Sequence, residues 1–270
     1  KVNPEANLLY ESDWLGEVTN DNATRQEYQA YFNGGSENSK VYSSVAYLNE
    51  EGLLKTTDFE RISGRIGAEL TPKEWINYGG NVSFAKTETK YLGYDGTTST
   101  SNVWYSAQFM APIYPVYVQD DQGNPVLSET GEKQFDYGKT RPAGANPNWN
   151  PVATLFEDAY ETSADNLSGR FHFNLQGSGL SQDLNGLSFK TNVGFDFVNV
   201  NETVYWNPEF GNAASIGGLL DLVNNRSLSY TINQLLRYQK DFGKHSVNVL
   251  AGHEFYKLVI NELKKKKTGF

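Results

Sequence analysis

Strict alternation of apolar and polar side chains over residues 226–256 limits how this chain can fold more than any other feature. The segment reads RSLSYTINQLLRYQKDFGKHSVNVLAGHEFY. Apolar residues occupy every second position in two runs: Leu228, Tyr230, Ile232, Leu236 and Tyr238, then Val247, Val249, Ala251 and Phe255. Gln234 breaks the first row once, and a glycine-containing connection at 241–245 joins the two runs. Period-two alternation on both sides of such a turn predicts a β-hairpin.

Both arms of this hairpin exceed the usual strand of about five or six residues in soluble proteins. The opposite face of the first arm carries Ser229, Thr231 and Asn233 and is too polar for a buried core. The apolar face is too continuous to lie against water. A strand with lipid on one side and an aqueous lumen on the other has this pattern, so the hairpin is interpreted as membrane-spanning.

The same alternation predicts six more strands, at residues 24–33, 40–49, 59–70, 75–86, 166–176 and 187–201. In the second of these the faces are unclear, because Tyr42, Ala46 and Leu48 alternate with Ser43, Val45 and Tyr47. The short connections are residues 34–39, 71–74, 177–186 and 241–245, and the longer ones are 50–57, 87–163, 202–225 and the tail from 257. Regular alternation of short and long connections is typical of an up-and-down barrel and is not expected of a soluble sandwich.

The predicted fold class is therefore all-β: an antiparallel up-and-down transmembrane β-barrel segment of about eight strands with long extracellular loops. Composition agrees, since aromatics reach 14% while hydrophobics reach only 38%, as suits a sheet with one thin apolar face. No run of about 18 apolar residues predicts a transmembrane helix. A net charge of −9 disfavours nucleic acid as a partner, and zero cysteines exclude disulfides and thiolate metal sites.

The long connection at 87–163, predicted to be an extracellular loop, is rich in aromatic residues, which argues against disorder. Aromatic rings can stack on the apolar C–H faces of sugars. The candidate substrate-binding residues are Trp104, Tyr105, Tyr114, Tyr117 and Trp149, with Trp206 from the next long connection. The alternative interpretation is that these rings pack the loop onto itself. Residues 116–126 within the loop read as a small hairpin.

Other motifs do not predict catalysis, a metal or a cofactor. Asp120, Asp121 and Asn124 lack the spacing of a calcium loop and are interpreted as a turn. The histidines lie on separate strands or turns, and no G-x-S-x-G nucleophile motif occurs. The lysine run at 264–267 is interpreted as a solvated end. No signal peptide opens the chain, so it is expected to be a mature or excised piece.

Six sequence blocks follow one another along the chain. They are DWL at 13–15, NGGSE at 33–37, YSSVAYLNEEG at 42–52, DFER at 58–61, PIYPVY at 112–117 and FGKHSVNVLAGHE at 242–254. Together, and in this order, they resemble the SusC/RagA family of TonB-linked outer-membrane transporters. The resemblance covers most of the chain, and several blocks in sequence are more specific than any one of them.

The resemblance implies a 22-stranded barrel in the cell outer membrane, of which residues 1–270 are an internal part. The family's plug, its TonB-contacting box and its last strands are expected to be absent from this segment. Implied partners are a SusD-like surface lipoprotein, TonB acting through the absent plug, outer-membrane lipid, and an oligosaccharide or peptide substrate. The polar residues expected to line the lumen are Arg61, Arg65, Asn81, Arg170, Asn174 and Asn233.

The implied function is TonB-dependent import of glycan oligomers or peptides across the outer membrane, with no catalytic residue. Two alternatives stay open at this point. One is a non-transporting outer-membrane protein that binds glycans or acts as an adhesin. The other is a secreted β-rich hydrolase, which would be soluble without detergent.

Overall fold

The computed structural model describes residues 11–91, 102–142 and 147–270. Its strands are β1 Arg25–Ser36, β2 Ser39–Glu51, β3 Asp58–Lys73, β4 Ile76–Lys90, β5 Ala159–Gln176, β6 Leu187–Trp206, β7 Leu219–Phe242 and β8 His245–Thr268. They form one antiparallel sheet in the order β1 to β8, so neighbours in sequence are neighbours in space. The sheet is not closed. The predicted all-β, up-and-down segment of eight strands is confirmed.

Outside the sheet, the described residues form three short α-helices: α1 Trp14–Val18, α2 Val103–Phe109 and α3 Pro151–Glu157. Each begins at an Asp or Asn whose side chain accepts a hydrogen bond from a backbone N–H of the first turn, a favourable N-cap. Within the described ranges, no helix has the length and apolar character needed to cross a membrane.

The strand register sorts the side chains into two faces. Directly opposite residues share a face, and from β4 to β8 the pairing runs without interruption. One row reads Phe84, Leu167, Phe197, Leu228 and Val259 across these five strands. A row on the opposite side reads Ser83, Ser168, Asp196, Ser229 and Leu258. We call these sides the apolar face and the polar face; the alternation predicted from the sequence is confirmed.

Pairing also decides the faces of β2. Val45 lies opposite Gly64 and Tyr47 lies opposite Ile62, which places both residues on the apolar face. Tyr42, Ala46 and Leu48 therefore lie on the polar face with Ser44. The sequence of β2 alone carries apolar residues in both positions of the alternation, so only its neighbour could settle its orientation.

One end of the sheet carries the connections 37–38, 74–75, 177–186 and 243–244, and the other end carries 52–57, 91–158 and 207–218. The predicted alternation of short and long connections holds only in part, because the ten-residue connection 177–186 is longer than the six-residue connection 52–57.

The strand bounds differ from the sequence interpretation mainly at the long-loop end of the sheet. There β4 extends to Lys90 and β5 begins at Ala159, so the connection expected at 87–163 shrinks to 91–158. The connection expected at 202–225 shrinks to 207–218, because the flanking residues extend β6 and β7. The expected tail from 257 is the second half of β8, and the lysine run at 264–267 pairs with β7 inside that strand. Polar residues occupy both faces there, which removes the alternation but not the backbone pairing.

The buried core lies outside the sheet, in a unit that we call the loop cap: α1 together with the described residues of 91–158. Its buried apolar residues are Trp14, Val18, Val103, Ala107, Met110, Val116, Trp149, Val152 and Leu155. Residues far apart in the sequence thus meet here. The cap sits on the long-loop end of the sheet and is the place to look for a binding site.

Candidate functional site

Three short extended arms, around Val118, Val126 and Gln134, form the framework of the loop cap. The N–H of Val118 donates to Gln134 O at 2.9 Å, that of Gln134 to Val126 O at 3.0 Å, and that of Val126 to Val118 O at 2.8 Å. Each arm therefore pairs with both others. The hairpin predicted at 116–126 is confirmed, and the arm around Gln134 completes a triangle that the sequence did not reveal.

The turn between the first two arms is held by Asp120. Its Oδ1 accepts hydrogen bonds from the backbone N–H groups of Gln122 and Asn124, both at 2.9 Å. The backbone hydrogen bond from Asn124 keeps the pKa of the Asp120 carboxyl below its usual value. This geometry confirms the predicted turn.

Asn150 ties the arms to α3. Its Oδ1 accepts from the N–H of Val152 at 2.9 Å and of Ala153 at 3.2 Å, capping the helix. Its Nδ2 donates to Val116 O at 2.8 Å and to Asp136 O at 3.0 Å. The sequence analysis missed this residue, although an Asn directly before a Pro is a recognisable helix start.

Arg141 lies buried at the centre of the cap. Its guanidinium donates to Trp149 O at 3.1 Å and Asp136 O at 2.9 Å. It also lies over the rings of Trp14 and Tyr114, 5.8 and 5.4 Å from their centroids. Burial lowers the pKa of Arg141. Carbonyl oxygens and aromatic ring faces surround the guanidinium in place of water. Arg141 therefore joins α1 to the segments around residues 114, 136 and 149.

Four of the six aromatic candidates are held by contacts inside the cap or with the sheet. Trp149 is only 4% exposed and belongs to the core. Tyr117 is partly buried, donates its hydroxyl to Glu17 Oε2 at 2.9 Å and stacks on Phe135. Burial, with this hydrogen bond, raises the pKa of Tyr117. Tyr114 packs against Arg141, and Nε1 of Trp206 donates to the hydroxyl of Tyr160. These contacts match the alternative interpretation, in which the rings pack the loop onto itself.

The remaining two candidates, Trp104 and Tyr105, are adjacent on α2 and exposed by 43% and 46%. Tyr105 also packs against Phe109, with ring centroids 4.5 Å apart. These two rings therefore present aromatic surface at the outside of the cap, where a ligand could stack.

A groove of about 680 Å³ runs along the cap, and the sequence analysis did not predict it. It is lined by Val118, Ser128, Glu132, Lys133, Gln134, Phe135, Asp136, Tyr137, Gly138, Lys139, Thr140, Glu157 and Phe210. Tyr137 stacks on Phe210 with centroids 3.7 Å apart and planes 9° apart, and Lys139 Nζ lies 5.2 Å from the Phe210 ring. We call this feature the cap groove; it combines aromatic faces with charges of both signs.

One wall of the cap groove is fastened to the 207–218 connection by two carboxyl groups. The hydroxyl of Tyr137 donates to Glu157, whose Oε2 accepts from Asn207 Nδ2 at 3.3 Å. Asp158 Oδ1 accepts from the N–H of Asn207 at 2.8 Å. Burial raises the pKa of Asp158 to about 6 and also raises the pKa of Glu157. We call these contacts the Asn207 junction.

The polar face of the sheet carries all six residues expected to line a lumen: Arg61, Arg65, Asn81, Arg170, Asn174 and Asn233. Nη2 of Arg170 donates to both carboxylate oxygens of Asp196, each at 2.8 Å. Asn192 Nδ2 donates to Asn233 Oδ1 at 2.7 Å. The Arg170–Asp196 ion pair is exposed, and such pairs contribute only about 0–1 kcal/mol each to stability.

The apolar face is uncovered by any other described part of the chain. Phe84 is 47% exposed and Leu236 is 46% exposed. On β7 the apolar row runs from Leu228 to Tyr238, a length of about 34 Å along the strand. If the strand is tilted by about 35–45° from the barrel axis, the row has a height of about 24–28 Å along that axis. An apolar band about 25 Å tall is typical of membrane-spanning barrels.

Comparison with known proteins agrees with this geometry. No family model matches the chain. The TonB-dependent receptor P3 of Formosa agariphila is 26% identical over 251 residues, which is 92% of this chain. The chain is similar to part of a TonB-dependent receptor. The TonB-dependent receptor SusC of Bacteroides thetaiotaomicron is 22% identical over 262 residues, or 90% of the chain.

This TonB-dependent receptor-like chain spans about a quarter of the length of the relatives it matches, 23% of P3 and 24% of SusC. Among solved structures, the RagAB peptide transporter matches with a TM-score of 0.65 and 21% identity, over 97% of this chain and 27% of that one. The RagAB peptide importer in its closed-closed state matches with a TM-score of 0.69 and 18% identity, over 97% and 28%.

These likenesses show the same strand arrangement as the RagAB structures. The resemblance to SusC/RagA-type TonB-dependent transporters, predicted from the sequence blocks, is confirmed. The named relatives are receptors and transporters rather than enzymes.

Proposed function

We propose that the chain is part of an outer-membrane barrel that imports oligomers, glycans or peptides, in a TonB-dependent manner. The observation that carries this proposal is the uncovered apolar face, which has the height of a membrane band and backs directly onto a polar face. A soluble protein would bury so large an apolar surface beneath a second layer. The similarity to SusC and to TonB-dependent receptors supports the same conclusion.

Each region then has a distinct role. The apolar face meets the hydrocarbon of the outer membrane, and the polar face lines the lumen, in which TonB acts through a plug outside this segment. The long-loop end, with the loop cap, faces the cell exterior, because barrels of this kind place short turns on the periplasmic side. There the cap meets the substrate and a SusD-like surface lipoprotein. This orientation makes the cap the first part of the segment that an arriving oligomer encounters.

The substrate contacts proposed here are the exposed pair Trp104 and Tyr105, together with the cap groove. Flat aromatic surface suits the apolar faces of sugars and also the side chains of peptides. Lys139 and Glu132, which both line the groove, supply charge of either sign for hydrogen bonds. Of the similar structures, RagAB is described as a peptide transporter, which supports peptides as one substrate class.

The test is a deletion in the full-length transporter. Replacing residues 91–158 by a short Gly-Asn turn removes most of the cap but leaves β4 and β5 complete. The expected result is loss of TonB-dependent uptake of a labelled oligomer, with normal heat-modifiable migration of the barrel. A matched control replaces residues 177–186, at the opposite end of the sheet, by the same turn and is expected to import normally.

Normal uptake by the cap deletion would contradict the role of the cap in import. Loss of barrel assembly would show that the cap is structural instead. The non-transporting alternative makes a different prediction: labelled oligomer would stay on the cell surface whether or not TonB is present.

A further inference from the structure

Two lysines of the cap groove each lie beside a stacked pair of aromatic rings. Lys133 Nζ lies 4.7 Å from the ring centroid of Tyr117, which stacks on Phe135. Lys139 Nζ lies 5.2 Å from the ring centroid of Phe210, which stacks on Tyr137 in turn. Both lysines line the same groove. The groove therefore repeats one arrangement, an ammonium beside aromatic rings, at two positions along its wall.

Two of the three acids in the groove lining are already engaged. Asp136 Oδ1 lies 3.9 Å from Nη2 of the buried Arg141, so a cation within the cap balances its charge. The carboxyl of Glu157 accepts from the hydroxyl of Tyr137 and from Asn207 Nδ2, and burial raises its pKa. Neither carboxyl is therefore available to neutralise the groove lysines.

The free charges of the groove are two cations and one anion. Lys133 and Lys139 are exposed, and neither makes an ion pair within the part of the chain that the structure describes. Glu132, the third acid, is likewise exposed and unpaired there. Exposed cation–π contacts are weak, so both ammoniums stay available to a carboxylate, with which they form stronger, charge-assisted hydrogen bonds.

The rest of the lining suits a sugar better than an aliphatic side chain. Hydroxyl and amide groups come from Ser128, Gln134 and Thr140, and they can exchange hydrogen bonds with sugar hydroxyls. Val118 is the one aliphatic residue among the lining residues described, and the other apolar surface is aromatic. Aromatic surface with a few polar groups and a cation matches the chemistry of a sugar acid.

We propose that the cap groove selects oligosaccharides whose sugar rings carry carboxylates. The inference rests on the proposed function, in which the cap meets an arriving oligomer. Lys133 and Lys139 bind two carboxylates of the oligomer, and the hydroxyl and amide groups of the lining bind its hydroxyls. A neutral oligosaccharide makes the second set of contacts but not the first. Selectivity therefore comes from the two ammoniums.

The experiment uses three probes and the purified full-length transporter in detergent. Tetragalacturonate and its fully methyl-esterified form differ in charge but share the same sugar rings. A tetrapeptide of aspartate carries carboxylates without sugar rings. By isothermal titration calorimetry, wild type is expected to bind the sugar acid about 5- to 10-fold more tightly than the ester, and to bind the peptide no better than the ester.

Three variants locate this preference in the groove. K133Q/K139Q should lower the affinity for the sugar acid to that for the ester, which it leaves unchanged. E132Q removes the free anion and should tighten binding of the acid about 2- to 3-fold. K73Q/K244Q removes two exposed lysines at the opposite end of the sheet and should bind as wild type. Heat-modifiable migration checks the folding of each variant.

Equal affinity of wild type for acid and ester, or binding of neither, would overturn the proposal. Unchanged acid binding by K133Q/K139Q would also overturn it, as would a peptide that binds as tightly as the sugar acid. If K133Q/K139Q does not fold, E132Q decides: tighter acid binding supports the proposal and unchanged binding overturns it. The proposed function is tested separately, since uptake that survives deletion of residues 91–158 counts against the cap in import whatever the groove prefers.

Discussion

The sheet exposes large apolar side chains on one face, whereas the loop cap buries them in a core. Phe171 on β5 is 43% exposed, while Val152 on α3 is fully buried. The two regions also treat polar groups differently. Arg170 on the sheet pairs in the open with Asp196, but Arg141 in the cap is enclosed by carbonyl oxygens and rings. One chain therefore contains a part made for lipid and a part made for water.

This difference shows how each region obtains its stability. The sheet relies on backbone pairing, and among the residues that the structure describes no second layer covers its apolar face; in the proposed barrel, hydrocarbon lies against that face. The cap relies on the hydrophobic effect and on buried hydrogen bonds, as small globular domains do. A substitution should therefore affect one region and leave the other intact, and the predictions below test that separation.

The largest effect is expected on the apolar face. Phe171→Arg places a charge toward the hydrocarbon and should destabilise the barrel by about 2–4 kcal/mol, with lower outer-membrane assembly. His172→Arg, at the next position, places the same side chain on the polar face and should assemble normally. Heat-modifiable migration and outer-membrane yield of the full-length protein measure both. Equal behaviour of the two variants would contradict the assignment of the faces.

The next effect is expected in the cap. Asn150→Ala removes the N-cap of α3 and takes one of two hydrogen-bond donors from Val116 O and from Asp136 O, which keep the N–H of Asp136 and the guanidinium of Arg141. The change should cost about 2 kcal/mol. Hydrogen exchange in α3 should accelerate, while barrel migration stays normal. Asn150→Asp keeps the capping oxygen but loses the amide donor, so an intermediate effect is expected. Faster exchange throughout the sheet would show that cap and sheet are not independent.

The smallest effect concerns pH at the Asn207 junction. Since the folded-state pKa of Asp158 is raised to about 6, the folded cap holds a proton that the unfolded chain releases near its ordinary pKa. The cap should therefore be more stable at pH 5 than at pH 7, with the gain lost as pH rises through about 6. Glu157, whose pKa is also raised, acts in the same direction.

Asp158→Asn separates the contribution of this carboxyl. The amide oxygen can still accept from the N–H of Asn207, but no charge is buried at pH 7. The variant should be about 1–2 kcal/mol more stable than wild type at pH 7, and less dependent on pH. Hydrogen exchange of α3 and of residues 207–218 at both pH values provides the measurement. If the wild type were more stable than Asp158→Asn at pH 7, burial of the Asp158 carboxylate would not be destabilising, and the prediction would be wrong.

How far the sequence predicts the structure depends on how local the signal is. Within the apolar band the alternation gives the strands and their faces, because each residue's side is set by its immediate neighbours. Beyond the band, residues 202–206, 219–225 and 257–268 mix apolar and polar groups on both sides, so the period-two pattern does not predict strands there. Backbone pairing with an existing neighbour extends them regardless of side chain.

The candidate site was only partly predictable for the same reason. The long aromatic loop was located correctly as the region between β4 and β5, and its first hairpin was identified. The stack of Tyr137 on Phe210, the placement of Arg141 and the triangle of arms depend on contacts between distant residues. A periodic pattern holds no information about such contacts.

The sequence by itself determined an up-and-down sheet with one face for lipid and one for water, because a period of two encodes both the strand and its two environments. Only the tertiary structure decided the faces of β2, the core of the loop cap and the place of the lysine run at 264–267 within β8. Each of these depends on which strand or loop lies alongside. Register across strands, and packing between distant segments, bring together residues that the linear order keeps apart.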